Sequence, residues 1–122
     1  MILVVDDETA VLEFVRLILV EEGYSVRTAT DGEAALACLE TVRPDLVLCD
    51  VMLPGLGGWA VYGTMQAHPG WATIPVVLMS AIPLKCAPAR SQPAALLPKP
   101  FDTDALLATV ARLITPASAP PS

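Results

Sequence analysis

Residues 46–50 read Leu46-Val47-Leu48-Cys49-Asp50, four apolar positions in succession closed by a carboxylate. An apolar run of this length with no polar alternation is a strand buried on both faces, the environment at the centre of a parallel sheet. The same pattern opens the chain, where Ile2-Leu3-Val4-Val5 precedes Asp6-Asp7-Glu8, and it recurs at Val76-Val77-Leu78-Met79 before Ser80. Helical patterns lie between these runs. One spans about Thr9 to Glu22 and stops at Gly23; a second is capped by Asp31 and reaches about Glu40, ahead of Arg43-Pro44. A third runs roughly from Trp59 to Ala67, closed by His68-Pro69-Gly70, and a last one starts at Asp102 or Thr103 and continues through about Ile114. Tyr24 to Ala29 alternates as a half-buried strand does, and Ala94 to Leu97 makes a short fifth strand.

Strands that alternate with helices pair in parallel through right-handed crossovers. The expected fold class is therefore α/β: a flavodoxin-like, doubly wound, five-stranded parallel sheet with helices on both faces. The first, third and fourth strands are apolar throughout and belong at the centre, whereas the second alternates and belongs at an edge. The fifth takes the other edge, because Pro98 at its end would remove a ladder hydrogen bond anywhere else. The order 2-1-3-4-5 follows. In that order the winding reverses between strands one and three, and a ligand site is expected where their C-terminal ends meet.

The chain has 122 residues, one domain's worth of material, with the body at 1–114 and a small, proline-rich stretch at 115–122 that reads as a flexible tail or linker stub. Hydrophobic residues make up 54% and charged residues 16%, against a usual charged share of roughly 25%, which excludes disorder for the body. The formal net charge of -6 and the lack of clustered Lys and Arg argue against nucleic-acid binding by this domain. Cys38, Cys49 and Cys86 are odd in number and lack CxxC spacing, which fits a reducing compartment, so a cytoplasmic location is expected. The longest early apolar stretch, Leu17 to Val20, is far short of the roughly 20 residues a membrane span requires.

The predicted strand ends carry the chemistry. Asp6 and Asp7 follow the first strand and Asp50 ends the third, so three carboxylates converge. Like charges within a few ångströms disfavour one another's ionisation, and hard oxygen donors of this kind suit Mg²⁺. Ser80 at the end of the fourth strand supplies a hydroxyl, and Lys99 after the fifth supplies an ammonium able to pair with a phosphoryl oxygen. Metal ligands, a carboxylate nucleophile, a hydroxyl and a cation in one crevice are the equipment for phosphoryl transfer to an aspartate. Other polar residues have plainer readings: Asp31 and Asp102 as helix caps, Glu8 as a first-turn helix residue, His68 as a surface loop residue and Cys49 as core.

With these residues in place the sequence resembles a receiver domain of bacterial two-component response regulators, over essentially residues 1 to 114. The resemblance implies that Asp50 is the phosphoacceptor, that Asp6 and Asp7 are the acidic pair, and that Asp7, Asp50 and the backbone carbonyl of Met52 hold Mg²⁺. It implies that Ser80 and Lys99 bind the phosphoryl oxygens, with the small Ala81 leaving the phosphoryl path open. Lys99-Pro100-Phe101 is similar to the family's Lys-Pro-Phe turn, in which the first bond is commonly cis and Pro100 helps aim the lysine. Phe101 and Leu106 stand at staple positions around the Asp102 cap. The implied partner is a sensor histidine kinase or histidine phosphotransferase, and a homodimer is among the family's assemblies.

Two departures from the family pattern stand out. Receivers usually carry an aromatic residue three positions before the lysine, and here that position is Leu96, which cannot reproduce a ring's two-position swing. Pro83, Pro88 and Pro93 interrupt the interval between Ser80 and Lys99; an interior proline costs a helix ~3 kcal/mol or more, so the fourth helix of the family is expected to be irregular or shortened. The first helix offers a contrasting surface. At ~100° per residue Leu17 and Val20 fall on the water-facing side with Glu13 and Arg16, either as isolated surface apolar residues or as a docking patch for the histidine-bearing partner.

Competing readings differ in residue order. A haloacid-dehalogenase-like phosphohydrolase would place its nucleophile and second carboxylate two residues apart after the first strand, and here that strand ends in adjacent aspartates. A nucleotide- or flavin-binding protein of the same fold would need a glycine-rich phosphate loop after the first strand. A receiver-like module used only for protein interaction, without phosphorylation, is the alternative that Leu96 and the prolines favour and the intact chemical residues oppose.

Overall fold

The computed structural model describes residues 1–81 and 93–114. Along them run β1 (Ile2–Val5), α1 (Thr9–Glu21), β2 (Val26–Ala29), α2 (Gly32–Leu39), β3 (Leu46–Asp50), α3 (Gly58–Ala67), β4 (Val76–Ser80), β5 (Ala95–Pro98) and α4 (Thr103–Leu113). Every pairing is parallel and the sheet order is β2-β1-β3-β4-β5, as the apolar character of the three central strands predicts. β1, β3 and β4 are buried at every position.

Successive residues of those central strands serve opposite faces. Leu3, Val5, Val47, Cys49, Val76 and Leu78 form one core with Ala35 and Leu39 of α2 and Val61 and Met65 of α3. Ile2, Val4, Leu46, Leu48, Val77 and Met79 form the other with Leu12, Val15 and Leu19 of α1 and Leu106 and Val110 of α4. An unbroken apolar run is thus what a strand between two helical layers needs.

The helix ends follow from local chemistry. Asp31 and Asp102 accept from the backbone N–H groups of Ala34 and Ala105, both at 2.7 Å, and so cap α2 and α4. Phe101 and Leu106 pack into the same core cluster on either side of the second cap. α1 ends in a Schellman turn: Tyr24 N–H donates to the Leu19 carbonyl and Gly23 N–H to that of Val20, each at 3.0 Å, with Gly23 at φ 98°.

Several boundaries depart from the sequence expectation. β2 starts at Val26 instead of Tyr24, and only Ala29 in it is buried, so the expected alternation is incomplete. The residue before it keeps one sheet contact, since the Ser25 carbonyl accepts from Ile2 N–H at 2.8 Å. Glu8 is the N-cap of α1 with an extended backbone, not a first-turn residue. β3 and β4 each run one residue further than expected and take in Asp50 and Ser80, so the ladder itself fixes both. β5 is shifted by one, and Pro98 is on the edge strand opposite Ser80. The helix expected to be irregular or shortened between β4 and β5 lies outside the described residues, as does the tail at 115–122. Among the described residues no helix is long and apolar enough to cross a membrane.

Leu19 and Leu17 separate burial from helix propensity on one element, since Leu19 is fully buried and Leu17 is 52% exposed. In urea unfolding, Leu19→Ala is expected to lose about 2–5 kcal/mol. Leu17→Ala is expected to stay within about 0.5 kcal/mol of wild type. Equal losses would show that the α1 face is assigned wrongly.

Candidate active site

Parallel strands in register deliver their C-terminal residues to one edge of the sheet. Val5 pairs with Cys49, Asp50 with Met79, and Ser80 with Pro98, so the residues at or just past each strand end arrive side by side. Asp6 is fully buried there and Asp50 and Ser80 nearly so, whereas Asp7 stays exposed at the mouth.

Lys99 reaches across this edge from β5. Its Nζ donates to Asp6 Oδ2 at 2.7 Å and to Asp50 Oδ2 at 3.2 Å, so one ammonium bridges two carboxylates. The remaining oxygens are held by backbone: Asp6 Oδ1 accepts from Glu8 N–H at 2.9 Å, and Asp50 Oδ1 accepts from Met52 N–H at 3.3 Å. The lysine's own amide donates to the Ser80 carbonyl at 2.7 Å, tying the start of the Lys99-Pro100-Phe101 turn to β4. The Lys99–Pro100 peptide is cis, as the family resemblance implies.

Electrostatics follow from this geometry. Burial, and next the charge of Asp6, raise the Asp50 carboxyl above the ordinary carboxylate range, and Lys99 offsets only part of that rise. Burial alone would lower Lys99; the Asp6 hydrogen bond and the two carboxylate charges outweigh it and hold the ammonium more firmly protonated than usual. The Cys49 thiol, wholly buried in the core, is pushed up to about 12 by burial and by the charges of Asp50 and Asp6, which disfavours the reactive thiolate.

One ammonium leaves the three carboxylates with excess negative charge. Asp6, Asp7 and Asp50 each offer an oxygen within 4.8 Å of the other two. A hard, all-oxygen donor set with one exposed member fits a small divalent cation that keeps some of its waters, and Mg²⁺ is the ion this set suits.

The structure therefore brings together Asp6, Asp7, Asp50 and Lys99 directly, ties Met52 to Asp50 through its amide, and sets Ser80 at the adjoining strand end. Ala81, Lys99 and Pro100 also line a cavity of about 370 Å³, together with Phe101 and with Val11 and Phe14 of α1. Phe14 was not singled out in the sequence. It is 47% exposed beside Leu17 and Val20, and the helical wheel carried the signal, because a residue three positions before Leu17 lies ~60° from it. His68 caps α3 and stacks on Trp71 with centroids 3.8 Å apart, well away from the strand ends.

The response regulator receiver domain family matches residues 2–111. The chain belongs to that family. The receiver is 40% identical over 80 residues to the DNA-binding response regulator MtrA of Mycobacterium tuberculosis, an alignment covering 66% of this chain and 34% of MtrA. It spans about a third of that relative's length. Among solved structures, the response regulator TrrA of Thermotoga maritima, crystallised in complex with Mg²⁺-BeF, matches with TM-score 0.82 and 33% identity over 92% of this chain and 96% of that one. The receiver domain of a Pseudomonas aeruginosa sensor histidine kinase, with a magnesium ion coordinated in its active-site cleft, matches with TM-score 0.84 and 27% identity over 93% and 95%. The receiver family is a signalling module of two-component systems.

An acid whose value is raised on folding contributes its full stability below its ordinary value of 3.8 and loses it as pH rises through the higher folded value. Asp50→Asn keeps the shape without the charge. Without divalent ions the variant is expected to melt above wild type at pH 7, with the gain shrinking toward pH 4. A gain that is constant with pH, or absent, in thermal melts across that range would contradict the charge assignment.

Proposed function

We propose that this receiver accepts a phosphoryl group on Asp50 from a phosphohistidine donor, with Asp6, Asp7, Asp50 and the Met52 backbone carbonyl as the holders of Mg²⁺. The observation that carries the reading is the Lys99 ammonium shared between Asp6 and Asp50, at a mouth where Asp7 adds a third carboxylate. When bound, the ion supplies positive charge against the incoming phosphoryl oxygens.

The chain's own residues do the rest. An Asp50 carboxylate oxygen attacks phosphorus, the phosphorus–nitrogen bond of the donor breaks, and the electron pair leaves on the imidazole, which takes a proton from solvent. Lys99, already within 3.2 Å of Asp50, exchanges a carboxylate oxygen for a phosphoryl oxygen. The Ser80 hydroxyl donates to another, and the small, exposed Ala81 leaves the approach open. Loss of the group is the reverse in outcome: water attacks phosphorus, inorganic phosphate departs, and the carboxylate is restored.

The esterified aspartate carries roughly two negative charges, which favours loop arrangements that close on it. Leu96 is 41% exposed on the edge strand β5 and has no ring to turn inward, so the output passes through loop reordering at the strand ends. The donor is a histidine kinase or phosphotransferase. It docks on α1, where Phe14, Leu17 and Val20 form an exposed apolar stripe that Phe14 and Val11 join to the cavity beside Lys99. The domain acts in the cytoplasm and without nucleic-acid contact of its own, with residues 1–114 as the working unit.

Intact mass after incubation with Mg²⁺ and acetyl phosphate tests the acceptor. One phosphoryl adduct is expected on wild type and none on Asp50→Asn or in excess chelator. No adduct on wild type, under conditions that label another receiver, would overturn the reading in favour of a phosphorylation-independent interaction module.

The docking face is tested with Leu17→Glu and a histidine phosphotransferase that labels wild type. Transfer from that donor is expected to slow about tenfold or more, the cost of burying an unpaired charge at an interface. Labelling by acetyl phosphate should be unchanged. Unaltered transfer would remove α1 from the interface.

A further inference from the structure

The loop between β3 and α3 closes on itself. Gly58, the first residue of α3, donates its N–H to the Val51 carbonyl at 2.9 Å, so the end of the loop rests on the peptide that begins it. The approach is close enough to exclude any side chain. A Cβ at Gly58 would stand 2.3 Å from the Asp50 carbonyl oxygen, 2.8 Å from Val51 Cα and 3.0 Å from the Asp50 carbonyl carbon. All three are backbone atoms, so no rotamer change can make room.

We propose that Gly58 is a positioning residue for the acceptor, acting through the Asp50–Val51 peptide: its bare Cα seats α3 directly on that peptide and so holds the Asp50 carboxylate and the Met52 backbone against the acidic pair. This rests on the reading of Asp50 as a metal-assisted acceptor. Asp50 is pinned from several sides. Its neighbour Val51 donates to the Met79 carbonyl at 2.9 Å, and its carbonyl is in contact with the Cys49 thiol at 3.5 Å. Its carboxylate is held by Lys99 and by the Met52 amide. The α3 side is the one closed by close packing at a single position, and a displacement of about 1 Å there moves two of the proposed metal donors together.

Gly32 supplies a matched control. A Cβ there would also collide, 2.6 Å from the Leu56 carbonyl oxygen and 2.8 Å from Val61 Cγ2, at the other side of the loop and away from Asp50. Both substitutions destabilise; only one crowds the acceptor peptide. The decisive readout is Mg²⁺ affinity by calorimetry, with acetyl phosphate labelling alongside, on wild type, Gly58→Ala and Gly32→Ala at a temperature where circular dichroism shows each folded. Gly58→Ala is expected to weaken Mg²⁺ binding about tenfold or more, the scale seen when a group that orients metal ligands is lost. Gly32→Ala should bind Mg²⁺ within about twofold of wild type despite its lower melting temperature, its clash lying outside the groups that orient the ligands.

A glycine inserted between Gly55 and Leu56 provides a second route, because loop lengthening is tolerated far better than a backbone clash and lets α3 lift from the peptide without any new Cβ. It is expected to weaken Mg²⁺ binding in the same direction, and it decides alone if Gly58→Ala does not fold. Wild-type Mg²⁺ affinity and labelling in the folded Gly58→Ala or insertion variants, or an equal loss in Gly32→Ala, would overturn the inference. If wild type takes neither Mg²⁺ nor phosphoryl, the acceptor reading falls first and this inference falls with it.

Discussion

The Lys99 ammonium between Asp6 and Asp50 is the constraint around which this domain is organised. Its side chain is only 14% exposed, and the two carboxylates it joins are almost entirely buried. Removing Lys99 would leave both buried carboxylates without compensation, a loss on the scale of about 3–5 kcal/mol, whereas removing the Asp50 charge leaves the ammonium still paired with Asp6. The sheet order 2-1-3-4-5 makes this bridge possible: Lys99 follows β5 at one edge and passes the end of β4 to reach Asp50 on β3 and Asp6 after β1. The apolar central strands, the two helical layers and the turn at Lys99-Pro100 together hold Asp6 and Asp50 side by side with the ammonium that offsets their repulsion.

That arrangement also divides labour among the carboxylates. Asp6 is fully buried, takes the shorter bond from Lys99 and has its second oxygen on the Glu8 amide. It is a fixed anchor. Asp50 takes the longer bond from the lysine and a long one from Met52, and its ionised form is disfavoured by burial and by Asp6. Of the two, Asp50 has the weaker hold on its counter-ion and the more to gain from a new electrophile or cation. Asp7, exposed at the mouth, is the member a solvated ion meets first.

Most of the architecture could be read from the chain because burial on two faces leaves an unmistakable mark. Leu46 to Cys49 carries no polar residue, and neither do Ile2 to Val5 or Val76 to Met79. Asp50, Asp6 and Ser80, which follow these runs, therefore point to a common edge from sequence alone. The caps Asp31 and Asp102 were legible for a similarly local reason, since a side-chain oxygen three residues before a free amide needs no tertiary context. What could not be read depends on distance between residues far apart in sequence. Nothing in Pro54, Gly55, Gly57 and Gly58 marks the last glycine as the one that touches Asp50, and nothing in Lys99 says that it binds Asp6 more closely than Asp50. The sequence pattern extends β2 two residues too far, because Tyr24 and Ser25 continue its alternation whereas Tyr24 closes α1 through its bond to Leu19.

The electrostatic tension at Asp50 has a consequence for the whole fold. Any process that removes its negative charge from the neighbourhood of Asp6, or adds positive charge beside it, is favoured by the folded state and not by the unfolded one. By linkage, that process stabilises the fold by the same free energy with which the fold assists it. A carboxylate pinned by backbone on several sides cannot relieve the tension by moving. Relief has to come from a proton on the carboxylate or from positive charge beside it, as Lys99 supplies in part. The hydrogen bonds around Asp50 and the disfavoured charge on it are thus linked: the first keep the second from relaxing away, so the carboxylate stays beside Asp6 with its ionised form raised in energy.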